Sequence, residues 1–537
     1  MVASLLKVIS TGIQDERLQP PKDQPSLDSF QNVFVKAGRY ATQWVQIDFD
    51  TKPNFGTTTV ARLPVHGELI GRVYLITQMP DISTPQLTAQ AAAVNAGNSF
   101  AGPYFSWTNS LGHALINEAS LFIGGSLIDS IPGNLMEILD EFETPLEKVV
   151  EANRQLCRAD NGFNQQSFGV NTTSQKVVTP LPFWFTRDDP ASALPIDALN
   201  VDEVRINISY NPVSALYYTN SRIQNLNGTY NNKIIPPIIT NSATNPQATT
   251  SVAGGNLWPL EAAKFYQTNP SGYLLNGLNP LNYNPPLVSE IPGISVPSPL
   301  SITGAYLMVE YIYLDKPEAN RFRIADIQTP IVQHYAFDPA DNQSNTFLRT
   351  YLFVPNPTRD LFFYCNRYEA PSYNAPFLGS RDLSNTLFPN GPWWPDASGM
   401  SERLYGPSLR PGFLTRDSEP IRWLSLTYEE TLTRYSTENV ALFRSLIPAM
   451  EQRKAPWVNR YYYNLPFSLQ SGLRPISLPT GEANLDKIQH AQLTLGFHGQ
   501  TQNINDDFTN RYITYIFAQT YNILRIYGGR ATTLFSY

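Results

Sequence analysis

The sequence predicts an all-β protein built from two successive β units. Period-two alternation of apolar and polar residues recurs along the chain, as expected for strands with one buried face. In Val204–Tyr210, for example, apolar residues alternate with Arg205, Asn207 and Ser209. Only 15% of the residues are charged and 12% are aromatic, which indicates a surface unusually poor in charge. A segment rich in Asn and Pro separates the two β units.

Two glycines predict a tight hairpin in the first unit. Gly124 and Gly125 lie between the strand-like runs Ala119–Ile123 and Ser126–Ser130. Glycine readily supplies the positive φ angles that a two-residue hairpin turn requires. We therefore expect the two runs to pair as antiparallel strands.

A helix is predicted directly after this hairpin. The spacing i, i+3, i+4, i+7 that indicates a helix is met by four apolar residues, Leu135, Ile138, Leu139 and Phe142. Asn134 is the expected N-cap, and the apolar stripe is expected to pack on a sheet. The acidic residues of the helix, Glu137, Asp140 and Glu141, are expected to face water. A second helix is predicted over 437–446.

The segment Val213–Leu300 differs from the rest of the chain. It contains 13 Asn and 11 Pro but only five charged residues. A disordered linker would carry more charge, so we expect an ordered connection that wraps other surfaces. Alternation resumes at Ala305–Tyr313. We therefore divide the chain into an amino-terminal arm (1–24), a first β unit (25–212), the connection (213–300) and a second β unit (301–537).

Composition also excludes several classes of protein. A formal charge of −7 argues against a direct nucleic-acid binder, which needs clustered Lys and Arg. Cys157 and Cys365 have no partner at ligand or disulfide-framework spacing, so we expect two free thiols and a reducing compartment. The amino terminus lacks the features of a signal peptide, and the longest apolar runs are strand-sized. We expect synthesis and assembly in the cytoplasm.

The motifs of common catalytic sites are missing from the sequence. The five histidines are not in ligand-spaced clusters, and no phosphate-loop, dinucleotide or GxSxG pattern occurs. We therefore predict no catalytic residue, no cofactor and no metal. Asn171, Asn227 and Asn342 head sequons and are the candidate glycosylation sites, although without a secretory signal we expect them to stay bare.

Several collinear segments resemble the double jelly-roll major capsid proteins of nucleocytoplasmic large DNA viruses. Gly67–Leu75 reads GELIGRVYL, close to the family's strand sequence GDLIGRVYL, and Tyr521–Ile526 reads YNILRI, close to its YNVLRI. The other matching segments are Trp107–Ile116, Glu118–Asp129, Leu181–Phe185, Leu194–Leu199, Tyr311–Asp315, Val354–Phe363 and Leu478–Ile488. The family's amino-terminal motif is only loosely echoed by Phe34–Trp44, and 213–300 is longer than the usual connection.

The resemblance implies two consecutive eight-stranded jelly rolls with long loops and a few short helices. It also implies homotrimers whose six barrels form a pseudo-hexagonal capsomer of an icosahedral shell. The implied partners are other copies of the chain, minor capsid and penton proteins, and the internal viral membrane, which the arm 1–24 would face. We expect the connection 213–300 to reach a neighbouring subunit and lock the trimer. Relatively apolar, aromatic interfaces of a permanent assembly would explain the low charge.

A second function remains open at this point, because the jelly roll also serves lectins and glycosidases. The adjacent tryptophans Trp393 and Trp394 could stack on a sugar. Acid pairs such as Asp188 and Asp189 could act in glycoside hydrolysis. A carbohydrate-binding or carbohydrate-cleaving protein is therefore the alternative.

Overall fold

The first β unit is a barrel of two facing four-stranded sheets. The computed structural model describes residues 40–81, 105–158, 175–187, 192–219, 300–367, 376–377, 379, 419–429, 431–456, 460–476, 479–488, 490–498 and 511–535. The strands between residues 40 and 314 are β1 Tyr40–Asp48, β2 Thr58–Leu63, β3 Leu69–Gln78, β4 Phe105–Trp107, β5 Ile116–Ile123, β6 Ser126–Pro132, β7 Lys176–Pro180, β8 Val204–Tyr210, β9 Tyr217–Thr219 and β10 Gly304–Leu314. One sheet has the order β1-β10-β3-β7 and the other β2-β8-β5-β6. Strands β4 and β9 form a separate pair.

The second β unit repeats this topology. Its strands are β11 Ile327–Ala336, β12 Ala340–Asp341, β13 Phe347–Tyr351, β14 Thr358–Arg367, β15 Ile421–Tyr428, β16 Leu432–Thr437, β17 Tyr462–Pro466, β18 Gln492–Phe497, β19 Tyr512–Tyr527 and β20 Arg530–Thr533. One sheet has the order β11-β19-β14-β17, with β12 and β20 also paired to β19, and the other β13-β18-β15-β16. The eight main strands of each barrel can be numbered 1 to 8 in chain order, leaving out β4 and β9 in the first barrel and β12 and β20 in the second. In both barrels one sheet then has the order 1-8-3-6 and the other has the order 2-7-4-5. This is the jelly-roll arrangement, so the chain is a double jelly roll.

The predicted boundary at residue 301 is wrong by one strand. β10, which was assigned to the second unit, pairs with β1 from Tyr40 to Asp48 and with β3. It is therefore the eighth strand of the first barrel. Local alternation identifies a strand but not its neighbours, because pairing here joins residues more than 200 positions apart.

The predicted hairpin is confirmed. Strands β5 and β6 are antiparallel, and the residues between them, Gly124 and Gly125, have φ values of 58° and 88°. The strand predicted over Val204–Tyr210 is also confirmed, with buried and half-buried residues alternating along it. These elements depend on local patterns that later packing does not change.

Short helices connect the strands. They are α1 Leu111–Leu115, α2 Gly133–Glu143, α3 Val149–Gln155, α4 Lys316–Ile324 and α5 Ile447–Glu451, with a π-helical turn at Leu442–Leu446. The helix predicted over 437–446 begins too early, because residues up to Thr437 belong to β16. Of the predicted connection, residues 213–219 form a 3₁₀ turn and β9, and 220–299 lie outside the described residues.

The predicted helix over 135–142 is present as α2, but two details of its prediction are wrong. The helix begins at Gly133 with Pro132 as the capping residue, so Asn134 lies inside its first turn. Glu137 and Glu141 are buried instead of facing water. The physical reason is that α2 is covered by parts of both barrels, so the polar side of the helix also lacks access to solvent.

Candidate functional site

The contact between the two barrels buries the outer face of one sheet of the second barrel. Along β14, Leu361 and Phe363 belong to the core inside that barrel, whereas Phe362 and Tyr364 pack against the first barrel. The ring centroid of Phe362 lies 5.3 Å from that of Phe142 on α2. Because both faces of β14 are buried, its central residues Leu361–Cys365 form a continuous apolar run instead of an alternating one.

A buried histidine links the barrels near the centre of this contact. The backbone N–H of His334, on β11, donates to the Asp129 carboxylate at 2.9 Å, and its ring Nδ1 lies 2.9 Å from the other carboxylate oxygen. Nε2 lies 3.1 Å from the guanidinium of Arg187. Because Arg187 can only donate, Nε2 accepts and Nδ1 donates to Asp129. His334 therefore has a structural role in the contact between the barrels.

Beside it lies a buried ion cluster around Glu137. Its carboxylate lies 2.7 Å from Nδ1 of His113 and 3.3 Å from Nη1 of Arg460, and it also binds Arg158. Burial alone would raise the pKa of Glu137, but Arg158, His113 and Arg460 outweigh it and hold the pKa below its usual range. Arg460 belongs to the second barrel, so this cluster also holds the two barrels together.

Further contacts extend the link along α2 and the barrel edge. Nζ of Lys454 lies 3.1 Å from the Glu141 carboxylate, and its backbone N–H donates to the Phe142 carbonyl at 3.1 Å. A separate contact joins the residues before β8 to the turn between β19 and β20, where the backbone N–H of Val201 donates to the carbonyl of Gly529 at 3.1 Å. The barrels therefore form one continuous contact.

The corresponding sheet face of the first barrel has apolar side chains together with polar ones such as Gln46 and Glu310, and it is only partly covered by the described residues. Inward-facing residues of β3 and β10 are buried, whereas their outward neighbours are half-buried and Trp44 on β1 is 40% exposed. The Trp44 and Tyr74 ring centroids are 5.6 Å apart. We call this surface the first-barrel outer face; its residues are Trp44, Tyr74, Ile76, Tyr306 and Met308.

Of the candidate glycosylation sites, the structure describes Asn342. This side chain is buried: its Nδ2 donates to the Asn345 carbonyl at 3.0 Å, and its Oδ1 accepts from the Tyr512 N–H at 2.9 Å. Both polar atoms of the Asn342 amide therefore already have partners within the fold. Asn171 and Asn227 lie outside the described residues.

The residues proposed for carbohydrate chemistry, Trp393 and Trp394 with Asp188 and Asp189, also lie outside the described residues. In the described ranges, no group of three or more His, Cys, Asp or Glu side chains has an arrangement that could hold a metal ion. No helix in those same ranges is long and apolar enough to cross a membrane.

The comparisons point to viral capsids. Residues 28–244 match the family model described as "Major capsid protein N-terminus". Over 221 residues the chain is 27% identical to "Probable capsid protein 4" of Acanthamoeba polyphaga mimivirus, covering 40% of this chain and 39% of that protein. Over 211 residues it is 27% identical to the "Major capsid protein" of Pyramimonas orientalis virus, covering 39% and 47%. The chain thus matches less than half of the length of these relatives.

Solved structures extend the likeness to almost the whole chain. A quasi-atomic model of the PBCV-1 virus capsid matches with a TM-score of 0.62 at 16% identity, covering 95% of this chain and all of that chain. The Faustovirus major capsid protein matches with a TM-score of 0.58 at 11% identity, covering 98% and 99%. The chain is similar to capsid proteins of large DNA viruses, in sequence over about 40% of its length and in fold over almost all of it. The resemblance read from the sequence is confirmed, and the carbohydrate alternative is not supported.

Proposed function

We propose that the protein is a major capsid protein that assembles as homotrimeric, pseudo-hexagonal capsomers of a large double-stranded DNA virus. One observation carries the proposal. The same sheet face is buried against the neighbouring barrel in the second jelly roll, whereas in the first it leaves apolar side chains such as Trp44, Tyr74 and Met308 only partly covered. A surface of this kind favours a protein partner.

The internal repeat indicates which partner fits. If the second barrel of another copy packs on the first-barrel outer face as the two barrels pack within one chain, every barrel gains the same kind of neighbour. Such heterologous contacts generate a ring when the rotation closes. Three copies would give a ring of six barrels, and the role of the chain would be geometric, without enzymatic chemistry.

The remaining partners and the location follow from the resemblance. Capsomers would contact minor capsid and penton proteins, and the arm 1–24 would lie beneath the shell, facing inner proteins or the internal membrane. No direct contact with nucleic acid is proposed. Assembly would take place in the host cytoplasm, and the chain would reside in the virion shell. The connection 213–300 would run onto a neighbouring subunit and stabilise the trimer.

Light scattering coupled to size-exclusion chromatography tests the trimer. Three chains of 60.2 kDa give a particle of about 180 kDa. We expect Trp44→Asp and Met308→Asp to shift the trimer to monomers, because each places three desolvated charges at the subunit contacts. Leu432→Asp, at an exposed position on a sheet edge of the second barrel, is the matched control.

Two results would count against the proposal. A wild-type protein that is monomeric at micromolar concentration would contradict capsomer formation altogether. Trimers that survive both variants would show that the first-barrel outer face is not the subunit contact. Circular dichroism of each variant separates loss of assembly from loss of folding. Electron microscopy of the expressed protein tests the shell, because capsomers should pack into hexagonal arrays or particles.

A further inference from the structure

A cleft of about 560 Å³ lies between the two barrels and borders the first-barrel outer face, with which it shares Tyr74. Residues of β3, β7, α2 and α3 line one side, and the segment 471–476 of the second barrel lines the other. Volumes of this size are typical of small-molecule sites. The cleft is therefore large enough for a ligand of several polar groups.

Basic side chains outnumber carboxylates in the lining of this cleft. Its basic side chains are Arg72, Lys148, Arg187, Arg359, Arg453 and Arg474. Its carboxylates are Asp140, Glu143, Glu147 and Glu151. Three of these carboxylates already pair with arginines: Asp140 with Arg158, Glu143 with Arg187 and Glu151 with Arg154. With six basic side chains and four carboxylates, the lining has a small excess of positive charge, part of which is offset by the Asp360 carboxylate beside Arg359.

Arg359 is the most unusual of these residues. Its side chain is only 6% exposed, yet its Nε and Nη1 groups have no hydrogen-bond partner. Nη2 donates to the Ser471 carbonyl, and Nε forms an ion pair at 3.4 Å with Asp360, whose Oδ2 also has no hydrogen-bond partner, so Nη1 is the donor left without an acceptor. A buried guanidinium with unused donors is costly, so this one calls for an acceptor.

The backbone at Arg359 explains how the side chain reaches this position. The register of β14 against β19 passes from Thr358 paired with Thr520 to Asp360 paired with Gln519, so Arg359 has no partner in the ladder. A bulge of this kind re-aims a side chain and is frequent beside functional sites. Here the bulged residue lines the cleft instead of joining the alternation of the strand.

A second buried cation lies nearby. Arg187 is 11% exposed in its side chain and is held by Glu143, by the carbonyl of Pro182 and by Nε2 of His334. Burial lowers the pKa of Arg187, Glu143 offsets part of this effect, and the charge of Arg359 lowers the pKa further. The carboxylates of Asp129 and Asp360 act in the opposite direction and raise the pKa of Arg187, so an added oxyanion would interact with the one donor that these neighbours leave unused.

We propose that this cleft binds a small molecule bearing an oxyanion, either a phosphate or a carboxylate group, with Arg359 as the central ligand. Nη1 of the planar guanidinium donates to an oxygen of the anion, a charge-assisted hydrogen bond that arginine forms with both groups. Arg453 and Arg474 at the rim contribute attraction at longer range. Because the lining comes from both barrels, a bound anion stabilises their contact.

Isothermal titration calorimetry of the full-length assembled protein tests the site, with tripolyphosphate and citrate as separate probes at fixed ionic strength. Saturable binding of tripolyphosphate alone assigns the site to phosphates, and that of citrate alone assigns it to carboxylates. Arg359→Gln should weaken binding at least about tenfold. Arg453→Gln should weaken it about two- to fivefold. Arg349→Gln, an exposed arginine on β13, should leave the affinity unchanged.

The proposal is overturned if neither probe binds saturably at millimolar concentration, or if Arg359→Gln binds as wild type does. Should Arg359→Gln fail to fold, Arg453→Gln decides the question: it is exposed at the rim, so folding is preserved, and an unchanged affinity overturns the site. Binding is measured independently of assembly into shells, so failure of this proposal leaves the capsid proposal standing.

Discussion

Removal of the buried charge at Glu137 should destabilise the protein strongly. Glu137→Gln leaves the shape nearly unchanged but removes the negative charge that faces Arg158 and Arg460. Both guanidinium groups are buried, so each loses a charge-assisted hydrogen bond in a place that water does not reach. Breaking a buried ion pair in this way costs about 3–5 kcal/mol. We expect that loss in the free energy of unfolding.

Chemical denaturation followed by fluorescence measures this loss, at one protein concentration for all variants because assembly contributes to apparent stability. Glu203→Gln is the matched control: its carboxylate pairs with Arg62 at 3.4 Å, but both side chains are largely exposed. An exposed pair contributes about 0–1 kcal/mol. A Glu137→Gln variant no less stable than the control would refute the idea that this cluster holds the barrels together.

The pH dependence gives an independent check of the same cluster. The pKa of Glu137 is lowered in the folded state from an ordinary value of 4.5, so its ionised form stabilises the fold above that value. This contribution falls as the pH drops below about 4.5. The stability difference between wild type and Glu137→Gln should therefore be full at pH 7 and should shrink toward pH 2. A difference that is constant across this range would contradict the assignment.

Three further predictions follow from local features. Gly133→Ala should destabilise the fold by about 1–3 kcal/mol in a denaturation series, because a Cβ there would lie 2.1 Å from the carbonyl oxygen of Ile116; an unchanged midpoint would contradict this close approach. Cys157 and Cys365 should resist iodoacetamide at pH 8 until the protein is unfolded, since burial raises their pKa values to about 11 and about 12; mass spectrometry showing rapid labelling of native protein would exclude it. Deletion of residues 1–24 should leave a folded trimer by light scattering but reduce particle yield in electron micrographs, whereas a truncated chain that does not fold would argue that the arm belongs to the barrel.

Much of the secondary structure could be predicted because it depends on neighbours in the chain. Period-two alternation identified the strand at Val204–Tyr210, and the pair Gly124 and Gly125 identified the turn between β5 and β6. Collinear motifs then identified the double jelly roll and its viral relatives. Each of these features is set by a few consecutive residues, so no knowledge of distant packing was needed.

The tertiary structure alone decided which surfaces meet. The acidic residues of α2 looked solvent-facing because their cationic partners lie far away, with Arg460 323 residues from Glu137. β10 looked like the start of the second barrel because pairing with β1 is a long-range event. Arg359 lies at the polar start of β14, between Thr358 and Asp360, and nothing in this sequence indicates the bulge that brings it to the cleft. Alternation along a chain reports that a face is buried, but only three-dimensional packing determines what buries it.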